Sequence, residues 1–170
     1  GLLAVHNCYV LIHINYINSP SDPEVPAYGR VEGFLDFCKE NQLQNELILK
    51  EMGNTYESIE RYLTEILQDI SKRYPNQKKG LFISNDTQAN VLVNLLVRKY
   101  GKFPEDFFLV GFDNSPISRE AVIPISTVGQ QIDKIAFEAV NLLVEQMNER
   151  KKRRPVPLEA PIHKVVSPVL

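Results

Sequence analysis

Basic residues are not in excess in this 170-residue chain: 19 Lys and Arg stand against 21 Asp and Glu, a formal net charge of −2. Without surplus cations to neutralise phosphates, the chain by itself is a poor nucleic-acid binder. Its one basic run, KKRR at 151–154, reads as a solvated face or linker. Nor is there an apolar run of about 18 residues that could span a bilayer, so no membrane partner is expected. Cysteine is scarce. Cys8 and Cys38 fit neither a metal-ligand nor a CxxC spacing, and two thiols make no disulfide framework. Free thiols of this kind suit a reducing compartment. The apolar start, GLLAVHNCYVLIHI, has no basic leader and contains polar breaks, so a cytoplasmic location is expected. A glycine-rich loop is also missing, which disfavours a nucleotide-phosphate cradle.

What is there is an alternation of strands and helices, in a length that suits one domain or slightly more. IHINYI (12–17) is β-branched and aromatic, and a Pro-, Ser- and Asp-rich loop follows it. Val31, Phe34, Leu35 and Cys38 then fall on one helical face. ELILKEM (46–52) reads as a strand, and Ile59, Leu63, Ile66 and Ile70 mark a helix that Thr55 or Ser58 could cap. GLFISN (80–85) is a strand; the helix after it closes at Gly101. A further strand ends at GFD (111–113), SPISREAVIP holds a short helix, ISTVGQ is extended, and IDKIAFEAVNLLVEQMNER is the longest amphipathic helix. LEAPIHKVV (158–166) reads as a last strand. The predicted architecture is a three-layer α/β/α fold, a parallel sheet with helices on both faces.

In such sheets ligands bind beyond the carboxyl ends of the strands. That rule selects the loop after Ile17, the segment around Asn54, the SND after Ile83 and the DNS after Phe112. No catalytic constellation accompanies them, so the chain is not read as an enzyme. His6, His13 and His163 lack a zinc-binding or nucleophile-elbow context and read as packed or surface residues. Glu105 and Asp106 stand at a strand's entry, where they mark a turn rather than an acid–base pair. Neither a metal nor a cofactor is implied. Arg30, Asn85, Asp86, Asp113 and Asn114 supply binding chemistry instead: a guanidinium fork, amides and carboxylates suit a polyhydroxylated or heterocyclic molecule. The alternative is that Asp86 and Asp113 cap helices and Arg30 pairs with a surface acid.

The segment from GLFISND through PEDFFLVGFDNSP to ISTVGQQ, with the Ala- and Leu-rich helix after it, resembles the LacI/GalR family of bacterial transcription regulators. GRVEGFLDFCKEN is similar to that family's R–x–x–GF helix start. The resemblance implies a lobe of the type I periplasmic-binding-protein fold. It divides the chain into an effector-binding C-terminal lobe (1–128), a crossover and helix of the N-terminal lobe (129–155) and a return strand (156–170). It also implies a helix-turn-helix DNA-binding domain outside this chain, so that operator DNA is a partner only through that domain. By the same resemblance Arg30, Asn85, Asp113 and Gln130 match effector-binding positions, and Asn54 stands where many members place an aromatic. Ile117, Ala121 and Val122 correspond to the homodimer interface. Purine-binding members carry a basic residue in the loop before the R–x–x–GF helix; here that loop has Asp22 and Glu24 instead, which favours a sugar-like effector. A transporter's solute-binding protein of the same fold is the alternative.

Overall fold

A computed structural model describes residues 6–17, 27–51, 53, 55–152 and 160–170, and the chain divides into two compact units, 1–128 and 129–170. In the first unit the strands are β1 (Val10–Ile17), β2 (Asn45–Glu51), β3 (Lys79–Ile83), β4 (Phe107–Phe112) and β5 (Ser126–Val128). Between them run α1 (Ala27–Glu40), α2 (Tyr56–Arg73), α3 (Asp86–Tyr100) and the one-turn α4 (Pro116–Glu120). All pairings are parallel and the order is β2-β1-β3-β4-β5. The chain therefore winds outward in both directions from β1 and β3, and the crevice between their carboxyl ends is the topological switch point.

The inner strands β1, β3 and β4 are mostly apolar because both faces of the sheet are covered there, whereas β2 at the edge keeps Asn45, Glu46, Lys50 and Glu51. Successive side chains alternate between the faces. Val10, Ile12 and Ile14 of β1, with Leu81 and Ile83 of β3, join one core cluster with Leu63, Ile66 and Ile70 of α2 and Leu92 and Leu96 of α3. Leu11 turns the other way, into a smaller cluster with Phe34 and Cys38 of α1, against which Phe82 packs. The expected helical face of α1 is thus real, except that Leu35 lies at its edge and is 38% exposed.

Local chemistry sets the ends of the helices. Thr55 is the N-cap of α2 and accepts from the Ser58 N–H at 3.2 Å, which decides between the two candidate caps. Asn85 caps α3, and Gly101 closes it in the left-handed conformation (φ 75°) with its N–H on the Val97 carbonyl.

The second unit holds α5 (Ile132–Arg150), in which no residue is buried; Phe137, Val140 and Leu143 are all more than half exposed. Lys164 pairs with Glu138 across this unit at 2.7 Å. The expected last strand has no ladder over its described part: 160–168 forms no β-pairing, and Val169 makes a single antiparallel bridge to Gly129. Polar and proline breaks in APIHKVVSP leave little continuous β pattern to recruit a neighbour.

The candidate effector edge

Three of the five expected binding residues meet at the carboxyl edge of the first unit's sheet. Arg30 lies in the first turn of α1. Its Nη1 donates to the Ser84 carbonyl, and its Cζ stands 4.4 Å from the centre of the Phe112 ring. The guanidinium is thus clamped between the end of β3 and the end of β4, with a cation–π contact of roughly 0.5–2 kcal/mol on one face. Asn85 follows β3; its side-chain oxygen accepts from the Gln88 N–H at 2.9 Å. Asp113 follows β4, and its N–H donates to the Val128 carbonyl at 2.9 Å. Asp113 and Asn114 have φ of 104° and 52°, in the left-handed region that L-residues rarely adopt.

Gln130 belongs to the second unit and is exposed there. Asn54 lies outside the described residues. Of the residues matched to a subunit interface, Ala121 packs partly against the core, Ile117 is half-buried and Val122 is 72% exposed.

The helix-cap alternative is corrected in detail. Asn85, not Asp86, caps α3. Asp86 is 1% exposed and binds side chains and backbone far along the chain. Ser115, not Asp113, is the N-cap residue of α4. Phe112 and Thr127 were not singled out from the sequence. The signal for Phe112 was an aromatic inside the GFD triplet; nothing local marked Thr127.

Behind the edge, His13 is fully buried, stacked on Phe82 with ring centres 4.5 Å apart and tilted against Phe34. Its Nδ1 is 2.9 Å from the Phe82 carbonyl oxygen, while its Nε2 finds no hydrogen-bond partner among the described residues. Burial holds its pKa below the usual imidazole range; the Phe82 carbonyl opposes this and the nearby Arg30 charge adds to it. The unfolded chain protonates His13 near pH 6.5 but the folded chain resists, so its contribution to stability is complete above that pH. It is lost as pH falls from there towards the folded pKa, with a limiting slope of about 1.4 kcal/mol per pH unit. Urea midpoints at pH 7.5 and pH 5.5 should separate more in the wild type than in His13→Phe. Equal separations would contradict the assignment.

Residues 9–166 match the periplasmic binding protein-like domain family. The chain belongs to that family. Among its relatives is the HTH-type transcriptional repressor PurR of Haemophilus influenzae (strain PittGG), 29% identical over 129 residues, 73% of this chain and 36% of the repressor. A LacI family transcriptional regulator from Lactobacillus casei with bound sucrose superposes with a TM-score of 0.70 at 20% identity, covering 99% of this chain and 58% of that one. The lac repressor dimer bound to operator and the anti-inducer ONPF gives 0.70 at 17%, covering 88% and 49%. At these identities the two structures speak for the fold alone. The sequence's resemblance to the LacI-type effector-binding domain is borne out by the family match and the repressor relatives. The chain spans well under two thirds of these proteins. Among the described residues no helix is long and apolar enough to cross a membrane, and no three His, Cys, Asp or Glu side chains gather as a metal site.

Proposed function

We propose that this chain is the sensing lobe of a cytoplasmic LacI/GalR-type transcription regulator, with the carboxyl edge of its sheet as the effector site. The supporting observation is the convergence of Arg30, Asn85 and Asp113 around the ends of β3 and β4, beside the switch point. In this reading Asp113 accepts two hydroxyl or N–H donors, Arg30 offers a fork to ring or hydroxyl oxygens, and Gln130 and Asn54 add polar contacts. The exposed apolar residues of α5 pack in the N-terminal lobe of the parent protein. Ile117, Ala121 and Val122 face a second subunit, and operator DNA is bound by a separate domain. The effector changes the balance between two lobe arrangements only by its difference in affinity for them.

A sugar-like effector is the first reading, supported by the acidic residues Asp22 and Glu24 ahead of Arg30. A purine is the second, favoured by the PurR relatives. Thermal shifts of the whole protein against sugars, sugar phosphates and purines separate the two, because stabilisation follows occupancy. Asp113→Ala is expected to weaken the ligand so identified by roughly tenfold to a hundredfold without unfolding the lobe. Unchanged calorimetric affinity in that variant rules out the site.

A further inference from the structure

Consecutive N–H groups leave the end of β4, and each is held by a different residue. The Asp113 N–H donates to the Val128 carbonyl at 2.9 Å, the Asn114 N–H to Thr127 Oγ1 at 3.1 Å and the Ser115 N–H to Asp86 Oδ2 at 2.8 Å. Thr127 also donates its own hydroxyl proton to Asp86 Oδ1 at 2.6 Å, and Ser115 Oγ stands 3.2 Å from Oδ2. Both carboxylate oxygens of a buried Asp86 are therefore engaged, one towards β5 and one towards the turn. The turn itself is the strained part, since Asp113 and Asn114 both sit at positive φ. Such a conformation persists when its surroundings over-determine it.

We propose that Asp86 is a positioning residue for the effector edge: through Thr127 and Ser115 it holds Asp113 and Asn114 in their positive-φ turn. That turn fixes the direction in which the Cα–Cβ bond of Asp113 leaves the sheet. Relaxation to negative φ would swing the carboxylate by more than a directional hydrogen bond tolerates. The alternative of a helix cap is already taken by Asn85, so the carboxylate of Asp86 is available for this long-range role. The inference rests on the effector-site reading for its functional meaning, but its physical content can be measured without a ligand.

The test is amide hydrogen exchange by NMR on the chain and on Thr127→Val, Thr127→Ser and Asp86→Asn. Thr127→Val keeps the shape and removes both the acceptor for Asn114 and the donor to Asp86. It should speed exchange at Asn114 and Ser115 roughly tenfold, while Leu63 and Leu92 in the core helices keep their rates. Thr127→Ser restores the hydroxyl and should restore the protection. Asp86→Asn should act like Thr127→Val; if it does not fold, the valine and serine pair decides. Unchanged rates at 114 and 115 would overturn the proposal, as would an equal rise throughout the core, which would make Asp86 a general stability element. Titration of the whole protein with sucrose and adenine judges the effector reading separately. An Asp113→Ala variant that binds either probe as the wild type does would sink that reading and leave the exchange result standing.

Discussion

Gly111→Ala is expected to destabilise the chain by about 3 kcal/mol, although alanine is small and the site lies within a strand. A Cβ at this position would stand 2.2 Å from Asp86 Oδ1 and 3.4 Å from Asp86 Cγ and Ile125 Cγ2. The tip of a flexible side chain would ordinarily move aside at small cost. Asp86 is not free to do so, because Thr127 holds the same oxygen at 2.6 Å and Ser115 holds the other. Displacing the carboxylate would leave donors unsatisfied in a buried place, and that penalty exceeds the strain of the contact itself. Gly111 is also the register partner of Thr127, so β4 cannot retreat without disturbing the same network. Gly33→Ala is the control: a Cβ there meets nothing within 4 Å, and alanine in the middle of α1 should stabilise by up to about 1 kcal/mol. Urea midpoints of the two variants should move in opposite directions. Combined with Asp86→Ser, Gly111→Ala should cost less than the sum of the two single changes, since the group it strikes has been shortened. Additive costs would show that Gly111 is required for another reason.

This coupling marks the limit of what the sequence discloses. The strands were legible because apolar and β-branched runs between turn residues have few alternatives, and α2 and α3 because their periodicity and caps lie within a few residues. The edge that gathers Asn85 and Asp113 was legible for a related reason: in a parallel sheet all the carboxyl ends share one side, whatever the side-chain contacts. The role of Asp86 was not legible. Its partners Ser115 and Thr127 are 29 and 41 residues away, and a carboxylate in the first turn of a helix looks locally like a cap. Phe112 escaped in the same way, since its use as a platform for Arg30 depends on α1 approaching β4. The last strand failed for the opposite reason. A short β-rich stretch around Val165 and Val166 suggests a strand, but a strand needs a partner to pair with, and 160–168 forms no ladder. For α5 the helical period in the sequence shows that an apolar face exists and not what covers it.

At the opposite edge of the sheet, Asp106→Ala should destabilise by about 2–3 kcal/mol and Lys79→Met by about 1 kcal/mol or less, an order set by which charge each variant leaves buried. Glu105 and Asp106 do form the turn that enters β4, as their place after Pro104 suggested, but Asp106 has a second function. Lys79 opens β3 and is 1% exposed, among the largest fully buried side chains of the chain. Its Nζ donates to Asp106 Oδ2 at 2.6 Å and to the Tyr74 carbonyl at 2.9 Å, and it lies 4.7 Å from the centre of the Phe107 ring. Asp106 is the solvated partner, with a side chain 36% exposed. Deleting Asp106 therefore strands an ammonium group with one carbonyl and a ring face. Deleting the charge of Lys79 leaves a carboxylate that can turn to water, and methionine fills most of the lysine's volume. The Tyr74 carbonyl loses a donor in that variant, which is why the expected cost is not zero. The double variant should be more stable than Asp106→Ala alone, because the stranded cation has gone. Salt should weaken the wild-type pair little, since its cationic end is shielded from the solvent. Guanidinium chloride would confuse that comparison by its own ionic strength, so urea is the denaturant of choice. If Lys79→Met proves the more damaging change, the bonds that the ammonium makes to Asp106 and to the Tyr74 carbonyl outweigh the cost of burying it, and the expected order is wrong.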